Sequence, residues 1–242
     1  METKRLKFIK DGFIKIDQLI TQGEVEALRT IYDGLLNDKV KTVHLRSDLA
    51  GADNNKESTV ERITQIMGPS TIAQELIHNS AYEKAEQWAK DLLGEDMELD
   101  FDMMINKAPY TNTPTPWHQD AAYWIAMPDK RSASCWIALD KVFVENGCMW
   151  FIPKTDDNAI LPHKNLPNGG ALYCETDGSK ALSMPLNPGG CTFHDGFTLH
   201  FSQGNTTETQ RRALILNFRP KKMIEFEREH GVDHTGERKQ RN

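Results

Sequence analysis

Apolar positions along this chain change their period after roughly a third of its length. Val25, Leu28, Ile31 and Leu35 recur at helical spacing behind Thr21-x-x-Glu24, a capping box whose reciprocal bonds satisfy two otherwise free N–H groups, and predict an amphipathic helix. Ser80-x-x-Glu83 repeats the signal ahead of Tyr82, Ala85, Trp88, Ala89 and Leu92, with Gly94 placed to end that helix. Asp11-Gly12 turns the chain into a short strand over Phe13-Ile14-Lys15-Ile16. Beyond residue 95 the pattern becomes a series of short apolar runs broken by Pro and Gly. Strands are predicted near 99–107, 116–120, 132–139, 148–152, 190–194, 198–202 and 211–219.

Such strands suit a two-sheet jelly roll. The expected fold is therefore mainly β with flanking helices, in one domain. A mostly helical support covers 1–95, a jelly-roll core 96–220 and a polar tail 221–242, read as a solvated helix end and a frayed terminus. Residues 37–59, with Asn37-Asp38, Gly51 and Asn54-Asn55, show no sustained period and read as a long loop, expected to be a lid over the substrate.

Composition narrows the function classes. The chain has 242 residues, with 35 acidic against 29 basic side chains, which suits a single domain and gives no polyanion-binding surface. Nucleic acid is not an expected partner. No stretch approaches the ~20 apolar residues of a membrane span, and the N-terminus lacks an apolar signal core. A soluble cytoplasmic protein, monomer or homodimer, acting on a small molecule is expected. Cys135, Cys148, Cys174 and Cys191 lie in or near apolar runs without a Cys-x-x-Cys pairing, so they read as buried reduced thiols.

The chemistry concentrates in Pro116-Trp117-His118-Gln119-Asp120. Alternate residues of an extended strand share a face, so His118 and Asp120 can point into one cavity. If His200 arrives from a neighbouring strand, two imidazoles and a carboxylate make the facial ligand set of non-haem Fe(II) oxygenases. After His200 a polar turn, Gly204-Asn205-Thr206-Thr207, leads into an apolar β run in which Arg211, Ala213, Ile215 and Asn217 alternate to one side. An inward Arg211 requires a carboxylate partner, and its planar fork suits a bidentate one. Of the other histidines, His44, His78, His163, His230 and His234 stand in polar or loop-like surroundings and read as solvated. His194 precedes Asp195-Gly196, a strong turn dipeptide, and both His194 and Asp195 receive a structural reading. Tyr123, Trp124 and Trp150 flank the motifs and are candidates for an aromatic substrate wall.

Met103-Met104-Ile105-Asn106-Lys107, His118-Gln119-Asp120, Trp136, the run Glu145-Asn146-Gly147-Cys148-Met149-Trp150-Phe151-Ile152-Pro153, His200-x-Ser202 and Arg211 follow one another in this order. Together they resemble the phytanoyl-CoA dioxygenase family of Fe(II)- and 2-oxoglutarate-dependent oxygenases. The resemblance implies a double-stranded β-helix. It implies iron on His118, Asp120 and His200, with 2-oxoglutarate and O2 as co-substrates, and release of succinate and CO2. It also assigns Arg211 and Ser202 to the distal carboxylate of 2-oxoglutarate, Met103, Gln119 and Trp136 to the co-substrate pocket, and a basic residue before the core, nearest Arg62. Arg212, beside Arg211, is then expected to face outward. The residues alone leave two other readings open. One is a zinc hydrolase, which leaves Arg211 without a role, and the other is a catalytically silent jelly-roll binding protein. No marked Lys/Arg cluster answers the phosphates of an acyl-CoA, so a small-molecule hydroxylase is favoured over a lipid-oxidising enzyme.

Overall fold

In the computed structural model, residues 1–42, 44–51, 61–154, 159–167 and 171–234 are described. Helices α1 (Glu2–Asp11), α2 (Gln22–Leu36) and α3 (Ser80–Leu93) precede the longer strands, and α4 (Lys221–Glu229) follows them. The strands are β1 (Phe13–Ile16), β2 (Arg46–Asp48), β3 (Ile63–Met67), β4 (Met97–Lys107), β5 (Thr115–His118), β6 (Ala133–Ala138) and β7 (Met149–Phe151), then β8 (His163–Asn165), β9 (Leu172–Cys174), β10 (Leu182–Met184), β11 (Cys191–His194), β12 (His200–Ser202) and β13 (Arg211–Pro220). A seven-stranded sheet runs β1-β11-β6-β13-β4-β3-β2, a four-stranded sheet β10-β7-β12-β5, and β8 pairs with β9. All pairings are antiparallel. The architecture is the expected jelly roll with flanking helices.

Period-2 alternation divides the large sheet into two faces. Cys135, Ile137, Phe193, Leu214, Leu216 and Phe218 pack outward under α2 and α3, against Val25, Leu28, Ala85, Ala89 and Leu92. Trp136, Ala138, Ala213 and Ile215 pack inward against Met149 and Phe151 of the small sheet. The functional space opens between the sheets, on that inner face.

Several boundaries differ from expectation for local reasons. Thr21 and Glu24 form the predicted capping box, but α3 is capped by Asn79, whose side chain accepts from Ala81 N–H, while Ser80 donates to Glu24 of α2. The segment 37–59 carries strand β2, paired with β3, so the region before residue 96 contributes three strands to the large sheet. The lid expectation falls partly on residues 43 and 52–59, outside those described. The tail is more than a solvated helix end. Glu227 of α4 is fully buried against Arg219, and His234 reaches Asp100 at 3.0 Å. All four cysteines are buried and free.

Candidate metal centre

Strands β5 and β12 pair with His118 directly opposite His200, which brings the two ring centroids to 4.1 Å. Strand β5 ends at His118, two residues before the predicted limit. Gln119 keeps extended backbone (φ −123, ψ 129), and Asp120 opens a 3-10 turn, so the alternation survives one residue past the strand. Asp120 Oδ1 lies 3.8 Å from Nε2 of His118 and 3.6 Å from Nε2 of His200. One ligand atom from each of the three residues falls within 4.8 Å of the others.

The ring nitrogens are set for this task. Nδ1 of His118 lies 2.8 Å from the carbonyl of Pro116, and Nδ1 of His200 3.0 Å from that of Thr198. A carbonyl only accepts, so each Nδ1 carries the hydrogen and each Nε2 presents a lone pair. Burial pushes the pKa of both imidazoles down, and for His200 the neighbouring His118 adds to the effect, keeping them neutral. Burial alone would raise the pKa of Asp120. His200, His194 and His118 outweigh it and lower the pKa, so the carboxylate is ionised. Two neutral imidazoles and a carboxylate suit a divalent transition metal and leave one side of it to other ligands.

The same cavity is lined by Met103, Tyr123, Trp124, Trp136, Ser202 and Arg211, six residues singled out in the sequence. Arg211 is 1% exposed, with Nε and Nη1 lacking a hydrogen-bond partner, and its guanidinium sits 5.1 Å from the Trp136 ring. Burial pushes its pKa down to about 10, leaving it charged at neutral pH. An isolated buried cation is costly, and an anion in the cavity would relieve it. Arg212 points away, to Asp140 at 2.8 Å and Asp33 at 2.7 Å. Trp124 is seated against Gly196, where a Cβ would stand 1.9 Å from the indole, so only glycine fits under that wall.

Three expected residues lie elsewhere. Gln119, between the two ligands in an extended segment, faces the opposite side and clamps neighbouring loops. Its amide donates to the carbonyls of Ala159 and Phe197 at 2.9 and 2.8 Å and accepts from Leu161 N–H at 2.8 Å. Arg62 is held by Asp48 at 3.4 Å and by the carbonyls of Ala50 and Gly51, while Gln65 and Met67 are the β3 residues that reach the cavity. Trp150 is turned away by strand alternation, and Met149 takes the lining position. Two histidines also differ from their sequence reading, and a third, His194, keeps its structural one beside the ligands. His163 is buried and accepts the Gln119 N–H at 3.0 Å, which braces the ligand segment from behind. His234 stacks on Phe101 at 4.1 Å and lines the cavity, and His194 stands 3.3 Å from Asp120 Oδ2. Lys107, opposite Arg211 in the β4–β13 register, is buried and donates to the carbonyls of Thr113, Ser202 and Gln203. Asn217 was legible in part, because it shares the phase of Arg211 and Ile215. A second cluster of potential ligands among the described residues, Asp100, Glu227 and His234, is an ion-pair network with Arg219 and Arg228.

The family model for phytanoyl-CoA dioxygenase matches residues 8–213. The chain belongs to this family. It is thereby a 2-oxoglutarate-dependent non-haem iron dioxygenase. A Caenorhabditis elegans protein described as a probable phytanoyl-CoA dioxygenase is 25% identical, over 89% of this chain and 74% of its own length. Among solved structures, EvdO2 from Micromonospora carbonacea var. aurantiaca superposes with a TM-score of 0.76 at 28% identity, each chain covered to 90%. A second EvdO2 structure, complexed with 2-oxoglutarate, gives a TM-score of 0.72 at 29% identity, again covering 90% of each chain. The epimerase SnoN, solved with Fe3+, α-ketoglutarate and nogalamycin RO, shares the fold with a TM-score of 0.68 at 22% identity, over 90% of this chain and 82% of its own.

Proposed function

We propose that this dioxygenase binds Fe(II) through His118 Nε2, Asp120 and His200 Nε2, and 2-oxoglutarate through Arg211, to oxidise a small molecule held against Tyr123 and Trp124. The observation that carries the co-substrate assignment is the buried, unpaired Arg211 guanidinium in the same cavity as the two imidazoles and the carboxylate. A dicarboxylate answers both features, with one end for the metal and a distal carboxylate for the bidentate fork. Ser202, on the cavity side of β12, is assigned to the same carboxylate. The match of EvdO2, which binds 2-oxoglutarate, supports this reading.

Iron with 2-oxoglutarate supplies the oxidising chemistry when bound, yielding succinate and CO2 as one oxygen atom of O2 enters succinate and the other the substrate. The protein's residues hold and orient. His118 and His200 keep their lone pairs inward by donating from Nδ1, and Asp120 stays ionised. Trp136 packs beneath Arg211 and fixes its direction. The aromatic wall excludes water from the reacting end. No proton-transfer residue is required, and none is assigned. The substrate is a small molecule with an apolar or planar body, in keeping with Trp124, Tyr123 and Phe101 around the cavity.

Succinate formation from 2-oxoglutarate under air tests this reading. The wild type should form succinate only with Fe(II) and O2, and Asp120→Ala should abolish it. Full activity in Asp120→Ala would sink the metal assignment.

A further inference from the structure

Three imidazoles surround the Asp120 carboxylate, and they do not carry their protons alike. His118 and His200 present bare Nε2 atoms, and both approach Oδ1. His194 approaches the other oxygen, Oδ2, through its own Nε2 at 3.3 Å. An ionised carboxylate only accepts, so Nε2 of His194 carries a hydrogen and has no lone pair for a metal. Ser134 Oγ also lies 3.2 Å from Oδ2 and 2.7 Å from Oδ1 of Asn217, whose Nδ2 is buried without a partner. One hydroxyl proton cannot serve two acceptors. Exchanging the oxygen and nitrogen of the Asn217 amide, which turns the partnerless Nδ2 onto Ser134, closes the chain: Asn217 then donates to Ser134, and Ser134 to Asp120.

The sheet builds this arrangement. His194 of β11, Ser134 of β6 and Asn217 of β13 are register partners in a single row, on the face turned to the cavity. All three are buried, at 2%, 2% and 5% exposure. The β4–β13 register slips between Asn217 and Phe218, and a bulge of this kind re-aims the side chain beside it.

We propose that this row is a positioning device that reserves Oδ2 of Asp120 for hydrogen bonds, so that the carboxylate offers a metal Oδ1 alone. The proposal rests on the metal-centre reading above and goes beyond it. A carboxylate free to chelate through both oxygens would occupy a position that 2-oxoglutarate or O2 needs. His194, Ser134 and Asn217 act through Asp120 and so are positioning residues.

The test compares the wild type with Ser134→Ala, His194→Phe, the two combined, and His194→Gln, whose side-chain N–H reaches about where Nε2–H does. Co(II) is added to metal-free full-length protein without 2-oxoglutarate, and its visible bands are recorded. The bands of the combined variant should shift in position and intensity, while His194→Gln keeps the wild-type spectrum. Fe(II) and then 2-oxoglutarate are titrated anaerobically in a second arm. The combined variant should bind 2-oxoglutarate roughly tenfold or more weakly, with a smaller change in Fe(II) affinity. Should the combined variant not fold, His194→Phe against His194→Gln decides by the same readouts. Wild-type Co(II) bands in His194→Phe and Ser134→Ala would overturn the proposal, as would Fe(II) and 2-oxoglutarate affinities falling equally. A wild type that shows Co(II) bands yet binds no 2-oxoglutarate would overturn the co-substrate reading and leave the Co(II) arm to judge the row.

Discussion

Arg211 keeps a full positive charge out of water with two of its nitrogens unbonded, and the cost of that state defines its role. A charged hydrogen bond contributes about 1.5–3 kcal/mol, so Arg211→Ala should raise the 2-oxoglutarate concentration for half-maximal turnover roughly ten- to hundredfold. Fe(II) affinity should change far less, because no metal-ligand contact is lost; parallel titrations of the two ligands check this. Alternation on β13 puts Arg211 and Arg212 on opposite faces, and the family resemblance selected Arg211 as the inward one. The sequence showed His118 and Asp120 through their spacing. It did not show His194 or Ser134, whose importance comes from cross-strand register between segments 60 residues apart rather than from local pattern. Gln119 misled for a simple reason: in an extended segment the residue between two inward ligands must point outward.

At the scale of elements, α4 and the residues after it matter more than a charged tail suggests. Burial alone would lower the pKa of His234, but its hydrogen bonds to Asp100 and Glu227 more than offset this and raise it. Arg219 and Arg228 complete the cluster. A raised folded-state pKa means the protonated form is favoured by folding. The stabilisation is full below about 6.5, the ordinary histidine value, and is lost as pH climbs through the raised one. Amides of α4 should therefore exchange faster at pH 9 than at pH 6 after correction for the intrinsic rate, and in His234→Ala that pH dependence should vanish. Equal protection at both pH values would show that the histidine does not secure the helix. Most charges of α4 stay in solvent, as the sequence suggested, and the expected frayed end falls on 235–242, outside the described residues; Glu227 and His234 were not legible because their partners, Arg219 and Asp100, lie before the tail.

For the whole molecule, the stacking of helices on sheet holds the metal site in register. Asp102, on the outer face of β4, accepts from Ser70 N–H and Oγ at 3.1 and 3.0 Å and from Tyr82 Oη at 2.6 Å, which ties α3 to the sheet. Tyr82→Phe should cost roughly 1–3 kcal/mol. Thermal unfolding should begin some 2–12 °C lower, at about 2–4 °C per kcal/mol for a chain of this size, with Fe(II) affinity preserved. The jelly roll itself was legible because short runs between Pro and Gly turns fix strands without reference to partners. Strands β2, β3, β8, β9 and β10 were not: Arg46-Ser47-Asp48 and His163-Lys164-Asn165 are polar, β9 and β10 are three residues each, and the buried β3 shows no alternation to mark it. The proposed function requires a metal ion and a 2-oxo acid in one cavity. Metal-free protein titrated anaerobically with Fe(II) and then 2-oxoglutarate tests it most directly, through the weak visible charge-transfer band of a chelated 2-oxo acid. The band is expected in the wild type and should be lost in Asp120→Ala. Bound iron with no band on adding 2-oxoglutarate would contradict the proposed function.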